Sequence, residues 1–340
     1  MRHIPLGAGT ISEIMLGTMT FGTQTPEDDA HRQMAMAADA GVTWLDTAEL
    51  YPVNPVRKET LGVTEAICGR WLAENPGRLK VATKHSGEGS PARGGAPISP
   101  ETIAPTIRES LERLRVETID LYQFHWPNRG SFQFRKMWGY RPEGERAAIA
   151  QDVADCVGAL EREVERGTIR GFGLSNESTW GMDQWIRLAG DGPARPVSLQ
   201  NEYSLMHRHA DTDLAEMMVH EAVTMLAFSP LATGMLTGKY RGGAVPPNSR
   251  RSVNANLGGR WTERAQPTVE VYHALAAEHG VDPVHMALAW LQTRPFRCSA
   301  ILGATTAAQL EHGLRAQDVE LDPALLDAID DANRANPFPY

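Results

Sequence analysis

The sequence predicts an α/β fold of the closed (β/α)8 TIM-barrel type, on three observations. Short β-rich runs alternate with longer helical patterns from end to end, which implies a parallel sheet with crossover helices. Eight such runs can be counted, the number that closes a barrel. The length of 340 residues suits one α/β barrel with insertions, and no low-complexity linker divides it, so a single domain over 1–340 is expected.

Each element has a local reason. Arg2–Ile11, with Gly7-Ala8-Gly9 at its middle, suits an N-terminal β-hairpin across the lower end of the barrel. The barrel strands are expected at Ile14-Met15-Leu16, Thr43-Trp44-Leu45, Lys80–Thr83, Ile119–Phe124, Ile169–Leu174, Val197–Gln200, Thr224–Phe228 and Ser299–Leu302. Thr25-Pro26-Glu27 reads as an N-cap, a proline at the first helical position and an acidic first turn, and Ala40-Gly41 as the stop. Ser99-Pro100 opens another helix, with Ile103, Ile107, Leu111 and Leu114 at helical spacing. Arg166-Gly167 and His279-Gly280 are further C-terminal signals. Two stretches exceed ordinary loop length: Pro127–Glu145 after the fourth barrel strand, and Pro230 to about Pro267 after the seventh. Both follow strands, so both belong to the face where barrels place their active sites.

Composition narrows the partners. Hydrophobic residues make up 42% and charged residues 22%, an ordinary globular balance. Against 33 basic residues stand 42 acidic ones, a net charge of −9, and no basic cluster of the kind a nucleic-acid binder or an anionic-membrane anchor uses. Cys68, Cys156 and Cys298 are far apart and odd in number, which indicates neither a disulfide framework nor a zinc ribbon. The N-terminal segment lacks a secretory apolar region and no stretch is long enough to span a bilayer, so a cytoplasmic location is expected. A homo-oligomer remains open.

The chemistry is expected at the carboxyl ends of the strands. Asp46 and Tyr51 follow the second, Lys84 ends the third and His125 ends the fourth. A phenol with a free pKa of about 10 is a poor acid at neutral pH. An adjacent ammonium lowers that value and eases proton donation to a nascent alkoxide. A carboxylate beside the ammonium holds it charged, and an imidazole N–H can orient a carbonyl oxygen. Singly, each residue has a plain reading: Asp caps a turn, Tyr packs, Lys is solvated. Their combination on consecutive strand ends suits polarising a C=O while a hydride arrives.

The runs Leu16–Gly22, Asp46–Tyr51, Ala82-Thr83-Lys84, Leu121–Pro127, Gly173–Asn176, Gln200–Ser204, Phe228–Leu231, Leu236–Tyr240 and Leu302–Thr305 cover nearly the whole chain in order. Together they resemble the aldo-keto reductase superfamily, and within it the Tas-like bacterial reductases related to potassium-channel β subunits. The resemblance implies NADP(H)-dependent reduction of an aldehyde or ketone. It makes Tyr51 the general acid, Lys84 its partner, Asp46 the carboxylate paired with Lys84, and His125 the carbonyl-orienting group. It implies that Ser175, Asn176 and Gln200 hold the nicotinamide carboxamide and that Phe228 stacks on the ring. Gly17, Thr18 and Met19 would line the floor, with Asp46 beside the cofactor. Ser229 and Leu231 would contact the pyrophosphate through their backbone, and Lys239 and Arg250 the phosphates. Gly303, Thr305 and Gln309 would clasp the adenosine end, and Trp126 is a candidate substrate contact. Where the family often carries Glu and Asn shortly after the glutamine, this chain has His312 and Gly313.

Other signals carry less. No G-x-G-x-x-G follows a strand, and no P-loop, H-E-x-x-H or G-x-S-x-G occurs. His207-Arg208-His209 reads as polar surface rather than a metal site, and no metal is expected. Met34 and Met36 read as core filling. The competing function is a nicotinamide-nucleotide-binding regulatory subunit or redox sensor whose turnover is incidental. A metal-dependent barrel hydrolase lacks the ligand spacing.

Overall fold

Eight parallel strands close into a barrel in a computed structural model that describes residues 1–340. The chain begins with an antiparallel hairpin, β1 (His3–Leu6) and β2 (Gly9–Ser12). The barrel strands are β3 (Ile14–Gly17), β4 (Trp44–Asp46), β5 (Lys80–His85), β6 (Leu121–Phe124), β7 (Phe172–Ser175), β8 (Pro196–Glu202), β9 (Thr224–Phe228) and β10 (Cys298–Gly303). Each pairs with the next in sequence, and β10 closes onto β3 through Ala300–Ile14 to Gly303–Gly17. All eight runs marked as strands in the sequence therefore form the barrel.

Helices α1 (Glu27–Asp39), α2 (Val63–Glu74), α3 (Pro100–Leu114), α4 (Arg146–Glu165), α5 (Thr179–Ala189) and α6 (Leu214–His220) alternate with the strands. Between β9 and β10 lie α7 (Arg250–Val253), α8 (Ala265–Glu278) and α9 (Pro283–Trp290); α10 (Ala307–Leu314) and α11 (Pro323–Ala335) complete the chain. Ser99 and Thr102 form a reciprocal capping box with Pro100 in the first turn of α3, as its sequence predicts. Gly167 and Gly280, past α4 and α8, take left-handed backbone at φ +76° and +63°, which stops those helices where a side chain would be strained. The start of α1 differs by one residue. Pro26 is the extended residue before it, and the Thr25 hydroxyl pairs with that of Thr20 at 2.9 Å instead of capping the helix.

Two cores follow from the architecture. The larger joins 72 buried residues between the outer faces of the strands and the helices. The smaller joins 8, in which Leu6 and Ile11 of the hairpin meet Met15, Trp44, Ala82, Leu121, Leu226 and Ile301 from inside the barrel. The hairpin thus plugs the amino-terminal end, and Trp44 Nε1 fixes it by donating to the Thr10 carbonyl at 3.0 Å. Above this plug the barrel interior turns polar, with Asp46, Lys84, Gln123 and Gln200 all buried. Burying such groups costs free energy unless they satisfy one another, so this layer marks the functional end. No helix is long and apolar enough to cross a membrane.

Candidate active site

The parallel register brings the polar layer together. Gly17 lies beside Asp46, Lys84 beside Gln123, and Ser175 beside Gln200. Side chains alternate along a strand, so Lys84 points inward while His85 points out to Thr102 of α3, at 3.0 Å. Lys84 Nζ, fully buried, donates to Asp46 Oδ2 at 2.7 Å, to the Thr47 carbonyl at 2.8 Å and to Tyr51 Oη at 3.4 Å. Gln200 Nε2 donates to the other Asp46 oxygen at 2.8 Å and to Gln123 Oε1 at 3.2 Å. His125 follows β6 directly, and its ring stands edge-on to Tyr51 with centroids 5.8 Å apart. Asp46, Tyr51, Lys84 and His125 therefore share one site. Gln123 and Thr47 belong to the same network. The sequence reading assigned them no role, because a strand glutamine and a backbone carbonyl carry no motif of their own.

Electrostatics sorts these groups. Burial opposes the Lys84 ammonium, yet Asp46 and Tyr51 beside it raise its pKa above the ordinary lysine value, so it stays charged. Burial pushes the Tyr51 phenol up, and the pull of Lys84 downward only partly offsets this. The adjacent ammonium alone predicts a lowering; desolvation outweighs it. Desolvation, and then the charge of Lys84, hold His125 well below the usual histidine value, so its imidazole is neutral. Its Nδ1 is buried without a hydrogen-bond partner.

The candidate cofactor residues lie at or beyond the carboxyl ends of the neighbouring strands. Ser175 Oγ donates to the Gln200 carbonyl at 2.7 Å. Asn176 Nδ2 donates to the His125 carbonyl at 2.9 Å, which leaves Asn176 Oδ1 buried and unpaired. Gly17 is held small by β10, since a Cβ there would meet Ile301 Cγ2 at 2.9 Å. The Thr18 hydroxyl is committed to the Asp46 carbonyl at 2.7 Å, and Met19 is half-buried above it. Phe228 ends β9, half-buried, and Ser229 follows in left-handed backbone at φ +55°. The Ser229 and Leu231 amides donate to no protein acceptor. Lys239 and Arg250 lie near each other, and neither pairs with an acid. Desolvation and then Arg250 lower the Lys239 pKa, whereas desolvation and then Arg260 bring Arg250 to about 10. Arg250 Nε is buried and unpaired.

The last loop follows β10. Gly303 is exposed at its start, and Gln309 Oε1 accepts from the Thr305 amide at 3.1 Å and hydroxyl at 3.0 Å. Gln309 thus closes the loop on itself. His312 turns toward α9, where Nε2 meets Asp282 Oδ1 at 3.2 Å and its ring stacks on His285 at 4.7 Å. Gly313 leaves room for Leu302, whose Cδ2 would lie 2.8 Å from a Cβ there. These two departures from the family pattern therefore serve packing of α10 against its neighbours.

The Trp126 ring lies beside the site, 5.0 Å from the His125 ring and 6.4 Å from Phe134 of the long loop after β6. Its Nε1 donates to the Glu88 carbonyl at 3.1 Å, in a position that only glycine at 87 permits, since a Cβ there would lie 2.4 Å from that nitrogen. A cavity of about 410 Å³ lies elsewhere, behind β6 and β7 against α4 and α5, where Cys156 and Trp185 line it. It shares Trp126 and Ser175 with the site but not the four central groups.

A barrel with this polar layer is that of a carbonyl-reducing oxidoreductase, and the chain belongs to the aldo/keto reductase family. The model of that family, "Aldo/keto reductase family", matches residues 13–334. Protein Tas of Escherichia coli is 38% identical over 346 residues, covering 99% of each chain. A probable voltage-gated potassium channel β subunit of Arabidopsis thaliana is 27% identical over 340 residues, covering 96% of this chain and 94% of its own. Among solved structures, a glycerol dehydrogenase from Gluconobacter oxydans superposes with a TM-score of 0.75 at 25% identity, covering 99% of this chain and 96% of that one.

Proposed function

We propose that the protein reduces an aldehyde or ketone to an alcohol with NADPH, with Tyr51 as the general acid. The observation that carries this is the bridge made by Lys84 Nζ, 2.7 Å from Asp46 and 3.4 Å from Tyr51 Oη, beside a neutral His125. The residues present fit the cofactor. Asn176 Oδ1 is an unpaired acceptor for a carboxamide N–H, and Phe228 offers an aromatic face. Lys239 and Arg250 offer two cations without acids for phosphate, and the free Ser229 and Leu231 amides suit a pyrophosphate. When bound, NADPH supplies the hydride that reaches the carbonyl carbon.

The chain's own groups handle the oxygen. His125 offers a ring N–H that orients the carbonyl and stabilises charge developing on its oxygen. Tyr51 Oη donates its proton to that oxygen as the alcohol forms. Lys84, held charged by Asp46, stabilises the phenolate left behind, and Gln200 fixes the carboxylate that does this. Tyr51→Phe is expected to reduce kcat by about 10²–10⁴-fold with NADPH affinity within about threefold of the parent. Undiminished turnover by that variant would remove Tyr51 from the acid role.

A second reading has one observation behind it, the similarity to a channel β subunit across nearly the whole chain. A nucleotide-dependent sensor would bind NADPH equally well but turn over far more slowly than the roughly 1–10³ per second of ordinary enzymes.

A further inference from the structure

One strand step above the catalytic network lies a second charged cluster. Glu202 ends β8 two residues beyond Gln200, so it shares the inward face and sits about 7 Å nearer the mouth. Arg260, from the loop after β9, grips both its oxygens, Nε to Oε1 at 2.6 Å and Nη2 to Oε2 at 2.7 Å. Its Nη1 donates to the Leu257 carbonyl at 2.9 Å. Tyr340 Oη donates to Glu202 Oε1 at 3.3 Å. The carboxylate is neutralised by this one guanidinium.

Arg135 then arrives as a surplus cation. It comes from the long loop after β6, next to the Phe134 that faces Trp126. Its single ionic contact is a long one, Nη1 to Glu202 Oε2 at 3.4 Å, and its Nε is buried with no partner. Phe134 and Arg135 both hold left-handed backbone, φ +59° and +63°, a conformation that costs a non-glycine residue free energy and clusters at functional sites. Desolvation, and next the charge of Arg260, depress the Arg135 guanidinium below its ordinary value, a sign of cations crowded together. Two guanidiniums against one carboxylate leave one positive charge in the cluster, and the Arg135 side chain is still 18% exposed.

We infer that this mouth recognises a carbonyl substrate bearing a carboxylate, and that Arg135 is the residue that receives it. The inference rests on the reductase reading for the carbonyl end of that substrate. A single surplus charge matches a monoanion, and a partly exposed guanidinium not spent on an acid of its own is the group that attracts a carboxylate. Arg250 is not counted, because the proposed cofactor phosphate uses it. Phe134, whose ring lies 6.4 Å from that of Trp126 and 5.9 Å from the Arg135 guanidinium, offers the body of the substrate an apolar surface beside the charge.

The test compares 4-carboxybenzaldehyde with 4-nitrobenzaldehyde in NADPH-dependent turnover by the parent, Arg135→Gln and Arg135→Lys. It adds calorimetric titration with benzoate and with benzyl alcohol, which needs no turnover. The parent is expected to prefer the carboxylated aldehyde by about tenfold or more in kcat/KM, chiefly through KM. Arg135→Gln should bring that ratio near one, and Arg135→Lys should restore part of it. Benzoate should bind about tenfold tighter than benzyl alcohol, and lose that margin in Arg135→Gln. If benzoate behaves this way while neither aldehyde turns over, the anion site stands and the reductase reading falls. If both aldehydes turn over equally, or the preference survives Arg135→Gln, the inference is overturned and the reductase reading stands. Should Arg135→Gln fail to fold, a parent protein binding benzoate no tighter than benzyl alcohol overturns it equally.

Discussion

Replacing Lys84 with methionine keeps the length of the side chain and removes its charge from the centre of the site. Asp46 would then keep Gln200 at 2.8 Å on one oxygen and lose the 2.7 Å partner on the other, inside a layer with almost no solvent access. Breaking one side of a buried ion pair usually costs about 3–5 kcal/mol. Nothing else near Asp46 offers a replacement charge, since Gln200 already uses its amide on the other oxygen. Urea unfolding of parent and Lys84→Met at pH 7 measures the loss. The expected deficit is about 3–5 kcal/mol. A deficit below about 1 kcal/mol, the size of an exposed ion pair, would refute the view that Lys84 is there to balance Asp46.

Other expectations concern the candidate cofactor residues and the back of the site. Arg250→Ala removes a cation with no acid partner, so NADPH affinity is expected to fall about 10–100-fold while NADH affinity changes little. Equal losses for the two nucleotides in fluorescence titration would show that Arg250 does not read the 2′-phosphate. His85 is buried behind Lys84, where desolvation, and then Arg93, bring its pKa to about 4. Its native state resists a proton that the unfolded chain accepts below about pH 6.5, so it costs stability as pH falls from there. His85→Gln should therefore lose less stability than the parent between pH 7 and pH 5, by about 2 kcal/mol; identical profiles would contradict the assignment.

The barrel was legible because each strand is a short apolar run bounded by helix punctuation, and because parallel strand ends all face one way. That geometry lets residues as distant as Asp46 and His125 be read as neighbours from their position after strands alone. The cap of α1 was misplaced by one residue because the Thr25 hydroxyl finds Thr20, a contact no local pattern announces. The direction of the Tyr51 shift was missed because charge proximity can be read from strand ends, whereas the depth of burial that outweighs it cannot. Gln123 has the same obscurity, since its role comes from facing Gln200, 77 residues away. The Glu202, Arg260 and Arg135 cluster joins a strand end to two long loops, with 58 and 67 residues between partners, and loop conformation leaves no periodic trace. His312 and Gly313 depart from the family pattern, and their packing on Asp282 and Leu302 comes from elements that local sequence does not place.

The most direct measurement of the central claim follows the hydride itself. Purified protein would be incubated with 4-nitrobenzaldehyde and NADPH deuterated at both C4 positions, and the alcohol analysed by mass spectrometry. Transfer from the nucleotide to the carbonyl carbon predicts one deuterium on the carbinol carbon of every alcohol molecule, formed in step with NADP⁺. Oxidation of the nucleotide without alcohol, or alcohol free of deuterium, would contradict the reductase account.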